Sequence, residues 1–161
     1  MKPMRAKLFI AGDPVGWKRT RHKGKQHYTD PRVRGWRQTV QFLARAWRAE
    51  NSVPLLDGAF GVSLEFRLGR PRSHYTTRRR ALTKSAPRLH THKPDADNLA
   101  KLMLDALQDV LWGDDKFAVT LMASKLWVSE KEAGVSVCYW PIEEAGEETT
   151  WVTTRLAVRG R

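Results

Sequence analysis

Apolar positions divide this chain into segments of two periods. Ala6 to Gly12 is a short apolar run closed by Gly12-Asp13-Pro14, and it reads as a first strand. Val33, Trp36, Val40, Leu43, Ala44 and Trp47 recur at helical spacing, with Arg34, Arg37, Gln38, Arg45 and Arg48 largely off that face. This predicts a helix over 33–49 that places Trp36 and Trp47 in the core. Phe60, Val62, Leu64, Phe66 and Leu68 alternate with small or polar residues, the signature of a half-buried strand. From Asn98 to Val110, the residues Leu99, Leu102, Met103, Ala106, Leu107 and Val110 return to helical spacing. Asp97 stands before that helix as its expected N-cap, and Pro94 holds the preceding backbone extended. Phe117 to Val128 alternates between two apolar faces and predicts a buried strand. Ala133-Gly134 then turns the chain into Val135–Trp140, an expected antiparallel partner, which Pro141 ends.

These elements predict an α+β fold: a mixed sheet of four to five strands with two main helices packed on it, one domain over 1–161. A C-terminal extension is expected at about 141–161. It opens on a solvated acidic patch of Glu143, Glu144, Glu147 and Glu148, and Trp151 to Val158 then reads as a strand or a short helix. There is no internal repeat.

The stretches between the periodic segments are basic. The loop over 13–31 carries Lys18, Arg19, Arg21, Lys23 and Lys25 among Trp17 and Tyr28. Cations interleaved with aromatics suit a phosphate track with stacking platforms. After Glu65 no acidic residue occurs until Asp95, while Arg72, Arg78, Arg79, Arg80 and Lys93 all fall in between. So long and one-sided a segment, a basic arm at about 70–93, is expected to be flexible and to order on DNA. The whole chain has a formal charge of +12 and a pI near 10.3, which calls for a polyanionic partner, most often nucleic acid and less often an anionic membrane surface. No apolar run approaches the roughly 20 residues that span a bilayer. The basic N-terminus is followed by too short an apolar run for a secretory signal. The single cysteine, Cys138, excludes an intrachain disulfide and reads as a buried, inert thiol.

Against this charge stands an acidic island. Asp95 and Asp97 lie two residues apart where an extended segment meets the second helix, and Asp114-Asp115 follow that helix. The helix carries the chain roughly 20 Å away, so the pairs meet only if the next strand runs back across the helix start. Carboxylates 4 Å apart repel by about 4 kcal/mol at an effective dielectric near 20, and they stay together only if protons or cations neutralise them. Hard oxygen ligands without cysteine suit Mg²⁺ or Mn²⁺, which also bind phosphate oxygens. An acidic island in a basic protein therefore points to a metal-dependent nuclease. Lys101 is one turn beyond Asp97 and can stabilise transition-state charge, or it can simply pair with Asp97. His90 and His92 are a much weaker set of metal ligands. The competing reading takes Asp97 as a cap, Asp95 as a turn residue and Asp114-Asp115 as a loop.

The run Lys93-Pro94-Asp95-Ala96-Asp97-Asn98-Leu99-Ala100-Lys101, then Leu104-Asp105-Ala106-Leu107, then Trp112-Gly113-Asp114-Asp115 with Lys125 further on, resembles the RusA family. These are crossover-junction endodeoxyribonucleases, or Holliday junction resolvases, of bacteria and their phages. The match is specific from Lys93 to Lys125 and loose elsewhere. It implies catalytic and metal-binding roles for Asp95, Asp97 and Asp115 and a catalytic role for Lys101. Asp105 and Asp114 also match the pattern. It further implies a homodimer, Mg²⁺ or Mn²⁺ as cofactor, four-way DNA junctions as substrate and the cytoplasm of a bacterial host, with phage-encoded members. The arm from Pro71 to His92 looks longer and more basic than the family's usual connection. The alternatives are a metal-dependent nuclease on other branched or single-stranded DNA and, from another class, a non-catalytic basic DNA-binding protein.

Overall fold

The computed structural model describes residues 5–18, 21–23, 26–28, 30–77 and 81–142. The acidic patch, the segment Trp151 to Val158, and Arg19, Lys25, Arg78, Arg79 and Arg80 lie outside these residues.

Strand β1 (Ala6–Ala11) alternates, with Ala6, Leu8 and Ile10 inward. A two-stranded hairpin follows, β2 (Arg21–Lys23) and β3 (Gln26–Tyr28), where a plain loop was expected. Helix α1 (Pro31–Glu50) starts on a strong signal. Asp30 caps it by accepting from the Arg32 N–H at 2.9 Å, and Pro31 takes a first-turn position whose missing N–H costs nothing. Lys18 Nζ bonds the same carboxylate at 2.7 Å. Its buried stripe is Val33, Trp36, Val40 and Ala44, and Trp47 is partly buried against the core. Strand β4 (Phe60–Gly69) is the alternating segment of the sequence. Helix α2 (Ala96–Leu107), β5 (Ala118–Val128) and β6 (Gly134–Pro141) complete the domain.

The four main strands lie in the order β1-β6-β4-β5. β6 is antiparallel to both β1 and β4, and β4 is parallel to β5. This is the expected α+β mixed sheet, but β6 pairs with β1 and β4 rather than with β5. The cause is the link between them. Ser129 Oγ donates to Glu132 Oε2 at 2.6 Å, capping one tight turn over Glu130–Glu132 that leans on β4 and carries the chain past it. The parallel β4–β5 pair needs a crossover, which the arm and α2 supply. α1 packs on α2, α1 also touches β1, and α2 touches β5. Trp112 is fully buried at the centre, stacked on Phe60 at 4.9 Å with Tyr139 at its edge. Cys138 is only half-buried in β6.

Two further expectations are corrected. The arm is docked along its described length. Thr76 and Ala81 close a turn, Leu89 bridges Leu126 on the outer edge of β5, and the Trp127 N–H donates to the Arg88 carbonyl at 2.9 Å. Its anchor is His90, 5% exposed, whose ring lies 4.0 Å from that of Trp127, with His74 edge-on to the same indole. β5, in turn, is not buried along its first half: Val119, Leu121 and Met122 are 61%, 47% and 52% exposed. Among the described residues the arm covers the outer edge of β5 only near Lys125–Trp127.

Candidate active site

Three segments meet at the start of α2. Pro94 precedes Asp95, which holds the N-cap position with extended backbone, so the helix begins two residues earlier than the sequence suggested. Asp97 lies in the first turn, not at the cap. The Asp95 side chain makes no capping hydrogen bond. Gly16 lets the loop after β1 lie against this corner, because a Cβ there would come within 3.0 Å of the Pro94 ring. The Trp17 N–H donates to the Asn98 carbonyl at 2.8 Å. From the far side, Lys125 of β5 donates through Nζ to the carbonyls of His92 at 2.7 Å and Pro94 at 2.8 Å.

Lys125 thus fixes the approach to Asp95 from across the sheet. Charge-assisted bonds are worth about 1.5–3 kcal/mol each, discounted here because the ammonium is only partly buried. Lys125→Met should therefore lower unfolding stability by about 2 kcal/mol, read as a drop in denaturant midpoint with an unchanged slope.

The loop after β1, the chain entering α2 and the start of α1 enclose a cleft of about 420 Å³ lined by Trp17, Lys18, Arg32, Lys93, Asp95 and Asn98 among others. Its charged lining is three cations and one carboxylate, with Lys18 also paired to Asp30 and Arg32 lying 3.7 Å from Asp13. Of the residues expected to bind DNA, Lys18 and Lys93 are in this cleft. Arg72 lines a separate groove with Arg70 and Tyr75. Arg21 and Lys23 belong to the β2–β3 hairpin. Arg32 was not singled out in the sequence, where it is one arginine among several.

Several carboxylates of this +12 chain are engaged. Asp30 pairs with Lys18, Asp114 with Lys116 at 2.9 Å, and Glu65 with Arg67. Asp114 also caps the short turn Asp115–Phe117 by accepting from the Lys116 N–H, and this bond first, then the Lys116 side chain, holds its carboxyl below the usual range. Asp95 and Asp97 are exposed, and among the described residues neither side chain accepts a hydrogen bond or pairs with a cation. Lys101 does not pair with Asp97. Its ammonium sits 4.0 Å over the Trp17 ring, so Trp17 carries a lysine and packs on the core instead of offering a free stacking platform.

β5 does run back across the helix start, but the residue it delivers there is Lys125. Asp115, at the other end of the strand, faces the last turns of α2. Burial first, then the Asp115 charge, push the Asp105 carboxyl above the usual range, while Lys101 and Arg37 pull it down. Arg37 reaches the same place, donating to the Asp105 carbonyl at 3.4 Å. Among the described residues no three His, Cys, Asp or Glu side chains converge on one metal position. His90 and His92 face Trp127, His90 as part of the core.

Comparison with known proteins bears on this arrangement. A family model described as Endodeoxyribonuclease RusA matches residues 11–138, the span from the end of β1 into β6. A protein of Bacillus subtilis (strain 168), "Uncharacterized protein YqaN", is 29% identical over 138 residues, covering 81% of this chain and 94% of its own.

Proposed function

This chain belongs to the RusA endodeoxyribonuclease family, and from that premise we propose that it is a divalent-metal-dependent nuclease that binds four-way DNA junctions and resolves them by paired, symmetric phosphodiester cleavage. That it is a DNA endonuclease follows from the family. The finer reading rests on one observation: Asp95, a carboxylate with no cation partner among the described residues, lines a cleft whose other charged residues are cations, with Asp97 two residues on in the first turn of α2.

Asp95, Asp97 and Asp115 would hold the metal. The donor set fits: these are oxygen ligands only, with no cation partner among the described residues, which suits Mg²⁺ or Mn²⁺. Bound there, the metal supplies Lewis acidity at the scissile phosphate and a lower pKa for the attacking water. Lys18, Arg32 and Lys93 hold the neighbouring phosphates and set the strand's direction through the cleft. Lys101, fixed over Trp17, offers a positive charge to the phosphoryl oxygens as charge builds on them. Lys101→Ala should lower the single-turnover cleavage rate on saturating junction by on the order of 10²-fold. Stability should fall by no more than about 1 kcal/mol, the value of an exposed cation–π contact. A rate within about threefold of the parent would leave Lys101 a structural partner of Trp17.

Two coordinated nicks need two sites related by a two-fold axis, hence a homodimer. The uncovered half of β5 suits the interface. One edge is paired with β4, the described part of the arm covers the other edge only near Lys125–Trp127, and Ala118 to Ser124 carries no charge. An exposed apolar strand edge is a template for pairing, and in a +12 chain an uncharged strand is where a second copy meets least repulsion. Antiparallel self-pairing about Leu121 sets Ala118 against the partner's Ser124. Asp115 then approaches the partner's Lys125 and, through its clamp on Pro94, the partner's Asp95. The three aspartates would meet across the interface.

Cleavage of a synthetic four-way junction, with Mg²⁺ and with chelator, tests the function, and linear duplex of the same sequence is the control. Paired nicks on the junction alone, lost in chelator, are expected. Equal cutting of other branched or single-stranded DNA would move the reading to a looser nuclease, and no cutting of any DNA would leave a binding protein.

A further inference from the structure

The outward side of α1 has no part in the site described so far. Directly opposite its buried stripe run Arg34, Gln38, Phe42 and Arg45, all exposed, with Phe42 at 71%. No acidic residue occurs in the helix before Glu50. The other arginines of α1 have partners. Arg32 is near Asp13 at 3.7 Å, Arg37 bonds the Asp105 carbonyl, and Arg48 bonds the carbonyls of Val53 and Val110 at 3.0 Å. The Arg34 and Arg45 side chains make no hydrogen bond or ion pair with any other described residue. They are about 16 Å apart along the axis, close to five base-pair steps of duplex. The helix begins beside the cleft, where Arg32 lines the wall with Asp95.

We infer that this face of α1 is a second DNA-contact surface, on which Arg34 and Arg45 take backbone phosphates and the Phe42 ring stacks on a base left unpaired at the branch. A polyanion fits because the only charges on the face are positive, and DNA held in the cleft by Arg32 continues onto it. An aromatic ring between two cations is what sequence-tolerant stacking on an unpaired base requires. The inference takes its ligand, branched DNA, from the function proposed above, and it does not depend on the metal site.

Binding in chelator separates the two. The probes are a four-way junction carrying 2-aminopurine at the branch point and a linear duplex of the same composition. Arg34→Gln with Arg45→Gln should flatten the log–log salt dependence by about 2 on the junction, near 0.9 for each lost phosphate contact. Phe42→Ala should leave the slope alone, weaken junction binding by on the order of tenfold with little effect on duplex, and abolish the fluorescence change that parent and Phe42→Tyr produce. All the substituted side chains are exposed, so the variants fold. Unchanged slope and fluorescence in a protein that still binds and cuts junctions would overturn this inference alone. So would a Phe42→Ala protein that changes oligomeric state, since the ring would then be covered by protein. A parent that binds no DNA would overturn the functional reading as well.

Discussion

A mixture of Asp97→Asn and Asp115→Asn subunits cuts four-way junctions although each variant alone is inactive. This is expected if the metal site is assembled across β5 from Asp95 and Asp97 of one subunit and Asp115 of the other. A mixed dimer then has one site with both substitutions and one with neither. Random exchange of two subunits should therefore restore about a quarter of the parent's sites. Because only one strand is cut per dimer, the product is nicked junction rather than two resolved duplexes. If instead each chain holds its own three aspartates, every site in the mixture lacks one of them and no cleavage returns. Single-turnover assays on end-labelled junction in Mg²⁺, after refolding the variants together, distinguish the outcomes. The basis is structural. Within one chain Asp115 lies in the field of Asp105, late in α2, while Asp95 and Asp97 lie at its start. Moreover, β5 leaves an uncharged, exposed edge between the two places.

The sequence foretold most where apolar residues alone decide the structure. α1 and β4 follow their periodicity because each buries one side on a single layer. Reading failed where packing uses other means. The arm 70–93 looked unfit to pack because it is basic and poor in aliphatic residues. It docks nonetheless, since backbone hydrogen bonds to β5 need no particular side chain and His74 and His90 serve as flat partners for Trp127. Alternation in β5 indicated a strand but not what covers it. An edge strand with an apolar, half-open first half has the same pattern as a central one. The β5–β6 hairpin failed because the capped turn at Ser129–Glu132 lets the chain step over β4, a tertiary outcome that turn residues do not specify.

At the site, spacing located the carboxylates and misjudged their surroundings. Asp95 and Asp97 stand at the start of α2, displaced by two residues from the cap assignment, because helical backbone begins directly after Asp95. The i,i+4 relation of Asp97 to Lys101 suggested an ion pair. The lysine instead takes the indole face brought up by the loop after β1. That long-range contact has no local signal. Lys125 matched the family pattern without a role, and its two bonds across the sheet supply one.

The aspartates themselves give the sharpest test. Asp97 is in the first turn of α2, with no hydrogen bond or cation partner among the described residues. Exchange to Asn keeps its shape and removes one charge. The helix loses a little favourable interaction with its own dipole, about 0.5 kcal/mol at an exposed position, so the protein stays folded. Removing a negative charge near the cationic cleft leaves junction affinity in chelator equal or improved. Metal affinity, and with it activation of the attacking water, should fall far more. The deciding measurement is the single-turnover rate of four-way-junction cleavage by Asp97→Asn in saturating Mg²⁺, alongside junction binding by the same protein. Binding at parent affinity with cleavage lower by several orders of magnitude is the predicted result. A folded Asp97→Asn protein that cuts junctions at close to the parent rate would contradict it.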